Sequence, residues 1–194
     1  MGGSQLQGHS LSAAMSKGLK LFISLCLAGF VVLKFWPSIS FAVEDWAGVN
    51  QMVNKVQGDL EYISTDDLFG AFQNSPESGM IIIDARAPEE FAVSHLRSAI
   101  NAENVEKISS IMALPESHGK TIVVYCSVGY RSAILGNRLK KAGFKVFNLK
   151  GSIFKWANEG KPVFSGSQET HEVHPYNKSW GKLLDRKYWP GNFN

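Results

Sequence analysis

The chain holds only two cysteines among 194 residues. One of them, Cys26, lies inside an apolar N-terminal run. That leaves Cys126 alone in the remainder and excludes an intramolecular disulfide there. A clustered excess of lysine and arginine is also missing. The first 42 residues contribute Lys17, Lys20 and Lys34 and no acidic side chain, so without them the 20 basic side chains fall to 17, level with the 17 acidic ones. Balanced charge with no basic patch argues against a nucleic-acid partner. There is no internal repeat and no low-complexity linker, which removes solenoid and disordered architectures. What remains is the composition of an ordinary globular chain, 44% hydrophobic and 19% charged, long enough for one packed domain and appendages.

The N-terminus reads as a targeting segment. Lys17 and Lys20 precede the apolar run Leu21–Leu33, and Ser40 and Ala42 occupy the small-residue positions of a cleavage site, the order of a secretory signal. Met15 offers a second start, making residues 1–14 an upstream extension. The competing reading is an uncleaved anchor, against which the run is short of the roughly 20 residues of a span and is interrupted by Lys34. The expectation is export to a periplasmic or extracellular space, with membrane attachment only if the leader stays uncleaved. A lone thiol in such an oxidising compartment calls for a chemical reason.

After Val43, strands and helices alternate. Trp46, Val49, Val53 and Val56 stand at helical spacing in 45–57, and "EYIS" reads as a short strand. Ser64, with Asp67 three residues on, forms a capping box for the following helix. Met80–Asp84 is a buried strand, 87–94 a short helix, 99–101 a brief strand and 102–113 a helix. Thr121–Tyr125 is the most strand-like run of all, 131–143 a helix ending at Gly143, 145–149 a last strand and 152–160 a last helix. Continuous apolar strands alternating with helices predict an α/β fold, a central parallel sheet of about five strands with helices on both faces.

In that fold ligands sit at the carboxyl ends of strands, and Cys126 stands where "TIVVY" ends and a helix is about to begin. In "CSVGYRS", residues 127–130 must turn the chain. Gly129 permits a backbone geometry that other residues resist, and loop N–H groups can turn toward the sulfur. The helix starting near Arg131 adds the positive end of its dipole, which favours thiolate over thiol. The pattern describes a nucleophile in an anion cradle; the plainer alternative is a small apolar side chain capping a core strand.

The pattern C-x-x-G-x-R-S resembles the active-site loop of the rhodanese-like sulfurtransferases. Upstream, "DARAPEEFAVSHLRSA" is similar to a second family motif at Asp84, Arg86, Glu90, Phe91, His95 and Ala99. Downstream, "VFNLKGSIFKWANEGKPV" matches a third through Gly151, Trp156 and Pro162. The resemblance runs from about Tyr62 to Val163, and three motifs in order are more specific than any one. It departs from the family at Ser94 and Ser98, where glycines usually flank the histidine segment. Related dual-specificity phosphatases use C-x5-R, whereas Cys126 and Arg131 enclose one residue fewer. The division implied is a leader over 1–42, an N-terminal helix over 43–60, a rhodanese-like domain over 61–164 and an aromatic-rich tail over 165–194.

The resemblance implies covalent sulfur transfer with no metal or organic cofactor. The Cys126 thiolate would take a sulfane sulfur from thiosulfate or a persulfide, and a thiol or cyanide-like acceptor would remove it. Ser127, Val128, Gly129, Tyr130 and Arg131 would bind the donor and the transferred sulfur through the loop. Arg131 either attracts an anionic donor or braces the loop through acidic neighbours. Ser132 is expected to hydrogen-bond the loop or cap its helix. Asp84 and Arg86 are expected to support the loop, with Arg86 pairing to Glu90. Val128 and Tyr130 make the rim less cationic than a thiosulfate specialist needs, which points to an organic persulfide. The alternative function is a rhodanese-like binding, sulfur-carrier or sensor module without rapid turnover. In the tail, "HEVH" (171–174) lacks the HExxH spacing of zinc proteases and has no nearby cysteine, so no metal is expected. Trp180, Leu183, Leu184, Tyr188 and Trp189 are expected to pack back onto the domain; the alternative is a protein partner for the tail.

Overall fold

The computed structural model describes residues 45–74, 79–102 and 104–193. The expected leader and cleavage site lie outside them. Among the described residues, no helix is long and apolar enough to cross a membrane.

The chain opens with α1 (Trp46–Gln57), capped by the Asp45 side chain accepting from the Gly48 N–H. There follow β1 (Glu61–Ile63), α2 (Thr65–Asn74), β2 (Met80–Asp84), α3 (Pro88–Val93), β3 (Ile100–Asn101), α4 (Val105–Met112), β4 (Thr121–Tyr125), α5 (Tyr130–Lys141), β5 (Val146–Leu149) and α6 (Ser152–Asn158). The five strands form one parallel sheet in the order β1-β5-β4-β2-β3, the architecture that the alternating pattern predicts. Ser64 caps α2 as expected: its Oγ accepts from the Asp67 N–H at 3.0 Å while bonding the Asp67 carboxylate at 2.5 Å.

The strands are apolar on both sides because both faces are covered. Ile82, Val123, Tyr125 and Leu149 face a core built with Val49 and Val53 of α1, Leu68 of α2 and Ile153, Phe154 and Trp156 of α6. Ile81, Ile83, Ile122 and Val124 face the opposite core, with Ile108 of α4 and Leu135 and Leu139 of α5. The alternation along each strand sends successive side chains to opposite faces. β4 is the middle strand and is buried from Ile122 to Tyr125, so its carboxyl end is held from both sides.

Beyond the sheet the chain makes an antiparallel hairpin, β6 (Val163–Ser165) with β7 (Gln168–Thr170), and ends in α7 (Lys178–Gly181) and a 3-10 turn at Arg186–Tyr188. The sequence pattern does not disclose the hairpin, since three-residue strands carry almost no periodicity. The tail packs back as expected. Val173, Leu183 and Leu184 are buried in the first core, with Trp180, Tyr188 and Trp189 against it. Asn158 of α6 clamps it by donating to the Leu183 carbonyl at 2.8 Å and accepting from the Asp185 N–H at 2.9 Å.

Candidate active site around Cys126

Cys126 directly follows β4, and the loop after it is wound tightly around its sulfur. Gly129 adopts φ 108°, a left-handed geometry that side chains resist, and this turns its N–H onto Cys126 Sγ at 3.1 Å. The backbone N–H of Ser132, in the first turn of α5, also favours the thiolate. The cradle expected at Ser127–Arg131 therefore extends one residue further. From the far side, Ser152 Oγ accepts the Cys126 N–H at 3.1 Å, with Ser152 itself at a left-handed φ of 52°. Burial pushes the Cys126 thiol up; the nearby Arg131 charge and the Ser132 and Gly129 N–H groups outweigh it, and the thiol sits below its ordinary range.

Arg131 makes the contacts that bracing requires. Its Nη1 and Nη2 donate to the two oxygens of Glu90 at 2.7 and 2.8 Å, and Nη2 also reaches Ser127 Oγ at 2.9 Å. Glu90 is itself almost fully buried, and its Oε2 accepts the Ala87 N–H at the start of α3 while Oε1 accepts from Ser127 Oγ. One carboxylate thus fastens α3, the loop and α5 together. Burial alone would raise the Glu90 carboxyl; the Arg131 bonds and charge overcome this and hold it below the usual range.

Two expectations are corrected here. Arg86 does not pair with Glu90. It is wholly buried and grips Asp84, with Nη2 at 2.7 Å from Oδ2, and donates to the Ser94 carbonyl. Asp84 and Arg86 are two residues apart at the end of β2 and so share a side, whereas Glu90 is carried round the first turn of α3 to meet Arg131. Val128 is not on the rim: it is 5% exposed and joins Val49 and Val53 in the core. Tyr130 is half-buried.

Ser132 bonds as expected, with a partner that spacing does not reveal. Its Oγ lies 3.6 Å from Cys126 Sγ and 2.7 Å from Asn148 Oδ1. Asn148 Nδ2 donates to the Gly129 carbonyl at 3.1 Å and to Gln57 Oε1 at 2.8 Å, and Gln57 Nε2 donates to the Leu60 carbonyl. Both Asn148 donors are occupied, so its Oδ1 must accept from Ser132. The single Ser132 hydroxyl hydrogen goes to Asn148, leaving a lone pair toward the sulfur. Gln57, Asn148, Ser152 and the Glu90–Arg131 pairing are the parts of the site that sequence reasoning missed. Each comes from a different element; the available signal was a polar residue inside an apolar strand, Asn148 in "KVFNL".

Tail residues also reach this region. Tyr176 lays its ring over the Arg131 guanidinium, 5.0 Å from Cζ to the ring centroid.

Residues 69–159 match the sequence model of the rhodanese-like domain. A probable molybdopterin-synthase adenylyltransferase of Porphyra purpurea is 36% identical over 78 residues, 40% of this chain and 20% of that protein. A probable adenylyltransferase/sulfurtransferase of Mycobacterium tuberculosis is 34% identical over 86 residues, 43% of this chain and 21% of that protein. The alignments with the curated relatives span between 20% and 48% of those proteins' lengths. Among solved structures, thiosulfate sulfurtransferase from Pseudomonas aeruginosa aligns with a TM-score of 0.52 at 16% identity, covering 70% of this chain and 26% of that one, a likeness of fold. The matched segment runs from within α2 to just past α6 and contains Cys126, its cradle and the Glu90–Arg131 clamp: this chain carries a rhodanese-like domain.

Proposed function

We propose that the chain is a sulfurtransferase working through a Cys126 persulfide. The observation that carries this reading is the loop of four residues between Cys126 and Arg131, closed by the Glu90 clamp, with the Gly129 N–H 3.1 Å from a sulfur whose thiolate is favoured. The domain family and the sulfurtransferase among the similar proteins support the same reading.

With a hydropersulfide R–S–SH, the Cys126 thiolate attacks the outer sulfur. The new S–S bond forms as the donor S–S bond breaks, and R–S⁻ leaves with the bonding pair. With thiosulfate the leaving group is sulfite. On the hydropersulfide route the proton of the transferred sulfur passes to R–S⁻ or to solvent, and loop N–H groups then face the terminal sulfur of Cys126–S–S⁻. An acceptor such as cyanide or a thiolate attacks that sulfur, departs as thiocyanate or a new persulfide, and returns the Cys126 thiolate. Arg131 holds the loop closed and contributes its field. Asp84 and Arg86 keep the β2 end in place.

Near-complete burial of Cys126, 1% exposed, favours a second reading, a sulfur carrier or sensor with slow turnover. Sulfur transfer to cyanide from thiosulfate and from an organic hydropersulfide tests both. Turnover is expected in the wild type and its abolition in Cys126→Ser with the fold intact. Loading of one sulfur without turnover would select the carrier, and undiminished turnover in Cys126→Ser would remove the mechanism.

A further inference from the structure

Tyr176 is placed in a way that core packing does not explain. Tyr176 is left 47% exposed, so its ring gains little from burial. Its backbone stands at φ 66°, a left-handed conformation that a bulky residue occupies only when its surroundings hold it there. They do. Val173 is anchored in the core and donates its N–H to the Tyr188 carbonyl at 2.7 Å; His174 Nδ1 accepts the Tyr176 N–H at 3.0 Å; His174 packs edge-on against Phe193; and Asn177 caps α7 immediately after. This bracing sets the ring over Arg131.

That guanidinium lies within electrostatic reach of Cys126 Sγ and is partly open to solvent, at 34% exposure. Two of its donors are spent on Glu90 and one of these also on Ser127, and the Tyr176 ring takes a face. An anion approaching the sulfur therefore meets a cation whose charge is shared with a carboxylate and covered on one face by an aromatic ring. Arg86, the other guanidinium near the β2 end, is sealed from solvent. A dianion such as thiosulfate gains little at this mouth, whereas a hydropersulfide of low charge needs no cation.

We propose that Tyr176, outside the segment shared with the domain family, is a specificity-determining residue that screens Arg131 and turns the site away from dianionic donors toward organic hydropersulfides. This rests on the sulfurtransferase reading, and its test separates the two.

The full chain, as wild type, Tyr176→Phe and Tyr176→Ala, is alkylated with iodoacetate and with iodoacetamide at one pH, and the rate is read by mass on the Cys126 peptide. The reagents are close in size and differ in charge, and the thiolate fraction cancels in their ratio. The iodoacetate-to-iodoacetamide ratio should rise roughly two- to fivefold in Tyr176→Ala, the size of a cation–π contact, and stay at the wild-type value in Tyr176→Phe. The ratio of kcat/KM for thiosulfate to that for ethyl hydropersulfide should rise in parallel. A tail merely loosened by the substitution would speed both reagents alike. Unchanged ratios in Tyr176→Ala overturn the role of Tyr176. Failure of the wild type to transfer sulfur from either donor overturns the transferase reading, and the alkylation ratio then still judges Tyr176.

Discussion

Around the sulfur, a single hydroxyl hydrogen has one place to go. Ser132 gives it to Asn148 at 2.7 Å, and the amide that receives it is locked by Gly129 and Gln57. The thiolate therefore relies on N–H groups and the Arg131 charge, and the Ser132 hydroxyl, 3.6 Å away with its hydrogen drawn to Asn148, gives it less than an undivided bond would. Replacing Asn148 by leucine frees that hydrogen to point at Sγ. The pH midpoint of Cys126 alkylation is expected below the ordinary 9.0 in the wild type and lower still in Asn148→Leu, since a hydrogen bond to the charged form favours it. The same variant should lose about 1–3 kcal/mol of stability, because Gln57 Oε1 and the Gly129 carbonyl are left buried without their donor. Alkylation at varied pH and denaturant unfolding measure the two effects separately.

Among the elements, the tail shows how closely an appendage can be fitted. Gly181, at the end of α7, has no room for a side chain: a Cβ there would lie 2.3 Å from the Trp189 ring and 2.9 Å from Pro175 Cβ. Trp189 is held in turn by its Nε1 donating to the Leu184 carbonyl, so it cannot simply swing away. Gly181→Ala is expected to cost about 1–3 kcal/mol by overpacking, seen as a lower thermal midpoint. Because Pro175 and Tyr176 are neighbours, the iodoacetate-to-iodoacetamide ratio at Cys126 should also shift toward that of Tyr176→Ala. Helices and buried strands were legible in advance because their periods are local. Runs such as "MIIID" and "TIVVY" are apolar throughout because a parallel sheet is covered on both sides. The β6–β7 hairpin was not legible, being too short for a period to register.

For the molecule as a whole, the Glu90–Arg131 pair is a cross-brace between segments 41 residues apart in sequence. The Glu90 carboxyl is held below its ordinary value of 4.5 in the folded protein. Its contribution to stability is complete above that value and is lost as pH falls from there through the depressed one, because the unfolded chain takes up the proton first. Thermal midpoints measured across the acid range should fall through this window in the wild type. In Glu90→Gln the midpoint should be lower at neutral pH, with a shallower acid slope, since one titrating group of the native state is gone.

The sequence by itself determined the α/β class, the strand that ends at Cys126 and the four-residue loop that distinguishes this cradle from a phosphatase loop. All of these depend on contiguous residues or on a local period. The tertiary structure decided which residues meet across the site. Glu90 takes Arg131 in place of Arg86, Gln57 and Asn148 meet 91 positions apart, Val128 turns into the core and Tyr176 comes to rest on Arg131. The physical reason is that such pairs follow from the strand order β1-β5-β4-β2-β3 and from the angle at which each helix leaves its strand. Both are set by the joint packing of two cores, and no short stretch of sequence carries them.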